Sequence, residues 1–289
     1  MELHTERIAT PARPSATVVL LRDGSAGLEV FLMQRNDLSD VLGGAYVFPG
    51  GKVDRDDAEW GERLDLPPAV LQARLGETEL AAEDACALHV AAIRELFEET
   101  GVLLAGLSAP AARQAWAALR TGQRFDDLME ASRFTLHASA LAPWSRWITP
   151  LTGGVVRKRF DTRFLLARVP EGQVPGHDSH EATASTWLTP REALSRYWAD
   201  EIALAPPQIM SLAHLARYAD AAAAFEEALR RAPPLVQPEP VAESEGRALC
   251  YPGDPAHSNA VRALPGPTRL VWRGKRFEPA DGLAALLAD

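Results

Sequence analysis

Apolar positions gather first in two β-rich runs, Ala16–Arg22 and Leu28–Arg35, on either side of Asp23-Gly24-Ser25-Ala26-Gly27. Turn residues between two such runs predict a hairpin. A loop over 36–44 leads to a third apolar stretch, Ala45–Phe48, which closes on Pro49 and the adjacent glycines Gly50 and Gly51. Residues 52–84 are acidic, carry Pro67-Pro68 and hold a short helical pattern at 69–75. Helix formers dominate from Ala85 to Leu96, and Gly101 stands where a left-handed cap would end the helix, which predicts a helix over 86–100.

Beyond Gly101 the pattern predicts a short strand at 102–104 and helices over 110–120 and 125–132. Strands follow over 155–169, where apolar and polar residues partly alternate, and over 181–188. Thr189 followed by Pro190 is a helix start, with the helix running toward Tyr197. The alanine-rich stretch Pro206–Arg231 predicts one long helix. Four prolines in 233–240 predict an extended linker, and Arg273-Gly274 between two short apolar runs predicts a terminal hairpin. No internal repeat is evident.

One helical face carries candidate chemistry. Glu95, Glu98 and Glu99 are spaced i, i+3 and i+4, so their carboxylates stack on one side of the last turns. Like charges there repel one another and also meet the negative end of the helix dipole. Arg94 offsets only part of that charge. A solvated acidic face is the plain interpretation; a bound divalent cation is the alternative, because hard cations take clustered carboxylate oxygens.

Composition narrows the classes. At 289 residues and 47% hydrophobic, the chain can bury a large core. A net charge of −9 argues against a broad nucleic-acid surface, so a phosphate-bearing ligand would need local cations. Two cysteines, Cys86 and Cys250, form neither a zinc pattern nor a disulfide framework. No apolar run is long enough to cross a bilayer and the N-terminus lacks a signal-peptide core, so a cytoplasmic protein without membrane contact is expected.

Gly51 with Arg94-Glu95-Leu96-x-Glu98-Glu99-x-Gly101-Val102 resembles the Nudix hydrolase signature, G-x5-E-x7-R-E-U-x-E-E-x-G-U. The second half matches at every specified position. In the first half Gly51 precedes Arg94 by 43 positions, so the box is interrupted. The family's first glutamate falls on Cys86, with Glu83 and Asp84 the acids nearest to that place. Trp144-x-x-Trp147-x-Thr149-Pro150, Arg159-Phe160-Asp161-Thr162 and Leu204-Ala205-Pro206-Pro207-Gln208 resemble landmarks of the interrupted-box branch, which includes the peroxisomal coenzyme A and acyl-coenzyme A diphosphatase. Within a further coenzyme A motif Gly44 and Phe48–Gly51 fit, and Asp40 stands where that motif has arginine.

The resemblance implies an α/β/α sandwich around a mixed sheet, with a helical insertion (about 52–84) in the box and extra C-terminal helices. It implies a Nudix domain over 1–232, followed by the linker and hairpin extension of 233–289. It implies Mg²⁺ or Mn²⁺ held by Glu95, Glu98, Glu99 and the Gly51 carbonyl, with Arg94 orienting a box glutamate and Glu181 or Asp178 as a late carboxylate. Arg35, Arg157 and Arg159 are the basic candidates for substrate phosphate. Three functions stay open: cleavage of coenzyme A or its thioesters; cleavage of ADP-ribose, dinucleotides or nucleotide sugars; and a non-catalytic ligand-binding protein. The expected partner is a small nucleotide-diphosphate substrate, with a homodimer left open.

Overall fold

The computed structural model describes residues 10–36, 42–152, 158–243 and 246–288. Eight strands form the main sheet: β1 (Arg13–Gly24), β2 (Gly27–Arg35), β3 (Tyr46–Val47), β4 (Gly50–Lys52), β5 (Leu141–Ile148), β6 (Phe160–Arg168), β7 (Ala182–Leu188) and β8 (Leu235–Val236). Their order is β3-β2-β1-β6-β5-β8, with β4 also on β1 and β7 also on β2. The predicted hairpin is antiparallel β1–β2, while β1 runs parallel to β6, so the sheet is mixed.

Alternation along β1 explains why the sheet needs a layer on each side. Successive side chains point to opposite faces. Val18 and Leu20 pack under helix α2 (Ala82–Thr100) with Val90, Ile93, Leu96 and Phe97. Val19 and Leu21 face the other way, toward helices α5 (Pro190–Trp198), α6 (Pro206–Leu215) and α7 (Ala221–Arg230). All four β1 residues are fully buried, so the strand reads as a continuous apolar run. The result is the expected α/β/α sandwich.

The insertion contains a 3₁₀ stretch over Arg55–Arg63 and helix α1 (Pro68–Leu75); helices α3 (Ala109–Leu119) and α4 (Phe125–Ala131) follow α2. Three elements differ from the sequence pattern. Residues 102–104 are buried but form no strand, because the Gln173 side-chain amide bonds the Leu103 N–H and carbonyl, each at 2.9 Å, in place of a neighbouring strand. The predicted helix over 206–231 is two helices, because Asp220 caps α7 by accepting from Ala223 N at 2.8 Å. The region read as a linker is β8 and the first strand of a four-stranded sheet of β9 (Glu239–Glu243), β10 (Gly246–Cys250), β11 (Arg269–Arg273) and β12 (Arg276–Pro279), closed by helix α8 (Leu283–Leu287); antiparallel β11–β12 is the predicted hairpin. Among the described residues no helix is long and apolar enough to cross a membrane.

Candidate active site

Helix α2 ends at Gly101 with φ of 76°, the left-handed cap that its sequence predicts. That fixes the three glutamates in its last two turns, against the glycine pair entering β4. Gly50 N–H donates to Glu99 Oε2 at 2.8 Å. A Cβ at Gly50 would collide with the Ala16 carbonyl and Thr17, and one at Gly51 would overlap the Glu95 carboxylate. Both glycines are therefore required by close approach, one to β1 and one to the acid on α2.

Arg94 is buried and fully engaged. Its Nε and Nη2 donate to Asp57 Oδ1 and Oδ2 at 2.7 and 2.9 Å, a bidentate fork. Nη1 donates to Glu95 Oε1 at 2.8 Å and Glu98 Oε2 at 3.1 Å, and Nη2 also reaches the Lys52 carbonyl at 3.0 Å. Asp57, in the 3₁₀ stretch of the insertion, is only 2% exposed. Its position is held by Asp54 N–H, which donates to Asp57 Oδ2 at 2.7 Å. Asp57 thus gives Arg94 a buried carboxylate partner from the insertion, six positions after Gly51. Glu83 and Asp84, the acids nearest the first box glutamate's place in sequence, are exposed. Cys86, at the family's position, is buried with its thiol pKa raised by burial and by Glu83.

The acids are desolvated. Burial, reinforced by Glu98 and Glu181 against the opposing pull of Arg94, pushes Glu95 up to about 7. Glu98 is also raised, chiefly by burial. Glu99 rises well above the usual carboxylate range through burial and then through its hydrogen bond and charge repulsion with Glu181. Arg94 moves above its ordinary value: burial works against it, but Asp57, Glu95 and Glu98 outweigh that.

Glu95, Glu99, Gly51 and Glu181 line one cavity of about 550 Å³, with Arg35 and Lys158 also in its lining. Glu98 is not part of that lining and turns to Arg94. Asp178 accepts from His180 N at 3.1 Å, within its own turn. Arg159 donates to the carbonyls of Thr149 and Thr10 and lies outside the lining. Arg157 and Asp40 fall outside the described residues. Trp144 and Trp147 are core residues, 1% and 4% exposed.

The donor set suits a hard divalent cation. The Glu95, Glu99 and Glu181 carboxylates lie in one lining, and burial, ahead of repulsion among these acids, raises the pKa values of Glu95 and Glu99. Among the described residues no three such side chains already stand arranged around an ion. Arg94 draws Glu95 and Glu98 to itself, and Glu99 pairs with Glu181.

A family model described as the NUDT19 Nudix domain matches residues 8–215. The chain belongs to the NUDT19 Nudix domain family. Its Nudix relatives include the acyl-coenzyme A diphosphatase NUDT19 of Gallus gallus, 32% identical over 241 residues, covering 68% of this chain and 63% of that protein. The same-named protein of Xenopus laevis is 26% identical over 236 residues, covering 68% and 62%. The chain thus aligns with less than two thirds of the length of these relatives. A Nudix hydrolase structure from Alicyclobacillus acidocaldarius superposes with a TM-score of 0.59 at 27% identity, over 78% of this chain and 98% of that one.

Proposed function

We propose that this Nudix protein hydrolyses the phosphoanhydride of a nucleoside diphosphate-linked substrate in a metal-dependent reaction, with coenzyme A or acyl-coenzyme A as substrate. The products would be 3′,5′-ADP and (acyl-)phosphopantetheine. The observation that carries the reading is the convergence of Glu95, Glu99 and Glu181 with the Gly50-Gly51 turn in one cavity that also presents basic side chains. The relatives named as acyl-coenzyme A diphosphatases support the choice of substrate.

Glu95, Glu98, Glu99 and the Gly51 carbonyl would hold Mg²⁺ or Mn²⁺. When bound, such an ion lowers the pKa of a coordinated water and neutralises charge on the diphosphate. Arg94 orients Glu95 and Glu98 by donating to both, while Asp57 holds the guanidinium in plane from its other edge. Glu95, whose carboxylate Arg94 Nη1 orients at 2.8 Å, is the candidate general base. Arg35 and Lys158 supply positive charge on the cavity wall for substrate phosphates.

A product screen with Mg²⁺ and Mn²⁺ over coenzyme A, dephospho-coenzyme A, ADP-ribose, dinucleotides and nucleotide sugars tests this. The expected result is cleavage of coenzyme A in preference to dephospho-coenzyme A, lost in Arg35→Ala if that residue reads the 3′-phosphate. Preferential cleavage of ADP-ribose or a nucleotide sugar would move the substrate assignment. No cleavage of any of them would favour a ligand-binding role.

A further inference from the structure

A second cavity, of about 180 Å³, adjoins the acidic one and shares Thr17, Leu42, Phe160, Thr162 and Gln208 with it. Its remaining wall is almost wholly hydrocarbon: Trp147, Ile148 and Phe164 from the sheet, Pro206 and Pro207 from the start of α6, and Leu249 from β10. Leu249 lies beyond the stretch matched by the family model. The polar groups in this lining are mostly satisfied already. Thr149 Oγ1 accepts from Phe160 N at 3.0 Å, and the Thr162 hydroxyl pairs with Ser15 Oγ at 2.7 Å. Gln208 is the exception. It is only 6% exposed, and its Oε1 has no hydrogen-bond partner among the described residues. That oxygen has essentially no accessible surface, so a donor in the slot meets it only once the carboxamide turns.

We propose that this slot takes the branched aliphatic, amide-bearing arm of the substrate, with the amide of that arm hydrogen-bonding to the Gln208 carboxamide, which turns to meet it. The inference rests on the coenzyme A reading above. Three observations choose this occupant. Adenine would bring several ring nitrogens into a wall with one unpaired polar group, leaving acceptors unsatisfied. A branched aliphatic arm brings geminal methyls for the apolar wall and leaves its hydroxyl and amide to the shared end, which Thr17, Thr162 and Gln208 line. A cavity of roughly 150 Å³ holds a benzene ring, so this one accommodates a branched group of about six carbons. Because five residues wall both cavities, the group seated is the one attached directly to the diphosphate, the pantoyl portion of pantetheine, rather than a distant acyl terminus.

The test is calorimetric titration of the intact protein in Mg²⁺ with 4′-phosphopantetheine and, separately, with 3′,5′-ADP. Ile148→Trp fills the slot, and Gln208→Leu keeps its packing while removing the acceptor. Both should weaken 4′-phosphopantetheine by roughly tenfold or more and leave 3′,5′-ADP within about twofold. If Ile148→Trp fails to fold, Gln208→Leu decides alone. Weakening of 3′,5′-ADP instead, indifference of both ligands to both substitutions, or no binding of 4′-phosphopantetheine to the wild type would each overturn the assignment. Wild-type protein that binds 4′-phosphopantetheine in this slot yet leaves coenzyme A uncleaved would sustain the slot and sink the diphosphatase reading. Cleavage of coenzyme A with binding unaffected by either substitution would do the reverse.

Discussion

Asp57 and Glu98 both bind the Arg94 guanidinium, but losing one charge should not resemble losing the other. Asp57 is buried and occupies both Nε and Nη2, so Asp57→Asn leaves a buried cation without its fork partner. Breaking a buried pair in this way should cost about 3 kcal/mol of stability, read as a lowered Tm, along with reduced turnover. Glu98 is more exposed and makes a single longer contact, and burial already disfavours its charge. Glu98→Gln should change metal-free stability by less than about 1 kcal/mol while lowering kcat by roughly 10²-fold, about 3 kcal/mol of transition-state stabilisation. Equal Tm losses for the two variants, or a Glu98→Gln enzyme with wild-type kcat, would refute this division. Glu95, Glu98 and Glu99 were legible in the sequence because i, i+3, i+4 spacing is a local property of a helix. Asp57 lies 37 residues before Arg94 and reaches it only after the insertion folds back, so a count back from the arginine passes over it. Counted forward it does carry a signal: Gly51-x5-Asp57 keeps the G-x5-E spacing of the first half of the box, with aspartate for glutamate.

Elements add a second anchor for the insertion. Glu77 accepts from Arg163 Nε at 2.9 Å and pairs with Arg146 Nη1 at 2.8 Å, and both arginines also pair with Asp161. This four-residue network accounts for the Asp in Arg159-Phe160-Asp161-Thr162 and ties the insertion to β5 and β6. Glu77→Ala leaves two arginines to one carboxylate in a largely buried setting, and a loss of about 3 kcal/mol in chemical denaturation is expected. The two helix layers also carry an acid-sensitive pair. His89 on α2 is lowered to about 4, mainly by burial, and His214 on α6 to about 3, by burial and then Arg231 and Arg217. Both are neutral in the fold and have folded pKa values below the unfolded one near 6.5. Their contribution is therefore complete above about pH 6.5 and is lost as pH falls, on the order of 3 kcal/mol each by pH 4. His89→Gln should flatten part of that slope between pH 6.5 and 4 in a Tm-against-pH series; an unchanged slope would rule the group out. The layers themselves were legible because β1 is apolar on both faces. The break at Asp220 was not weighed against the alanine run around it, although an Asp before a helical repeat is a capping signal.

At the scale of the whole molecule, the sequence misled most over 233–240, whereas the terminal hairpin at Arg273-Gly274 is β11–β12. Four prolines suggested a linker, yet Pro240 sits within β9, opposite Leu249, on the edge strand of the small sheet where a missing N–H is tolerated. Leu235 and Val236 extend the main sheet in parallel with Arg146 and Trp147. Leu249, Tyr251, Leu270, Phe277 and Leu286 pack in the same buried cluster as Trp144, Trp147 and Ile209. Tyr197 on α5 donates its hydroxyl to the Phe277 carbonyl at 2.7 Å and accepts from Phe277 N at 3.1 Å. A freestanding appendage would share little apolar surface with the sandwich, whereas this one covers the face of the sheet opposite α2. Urea unfolding of the whole chain should then be a single transition, with near-ultraviolet circular dichroism and far-ultraviolet signals changing together. A chain stopped at 232 would expose Trp147 and Tyr197 along with the rest of that face, and should aggregate or lose its cooperative transition. It would also lose Leu249 from the apolar slot. A 1–232 fragment that unfolds cooperatively at the whole protein's midpoint would instead show that the extension is a separate unit.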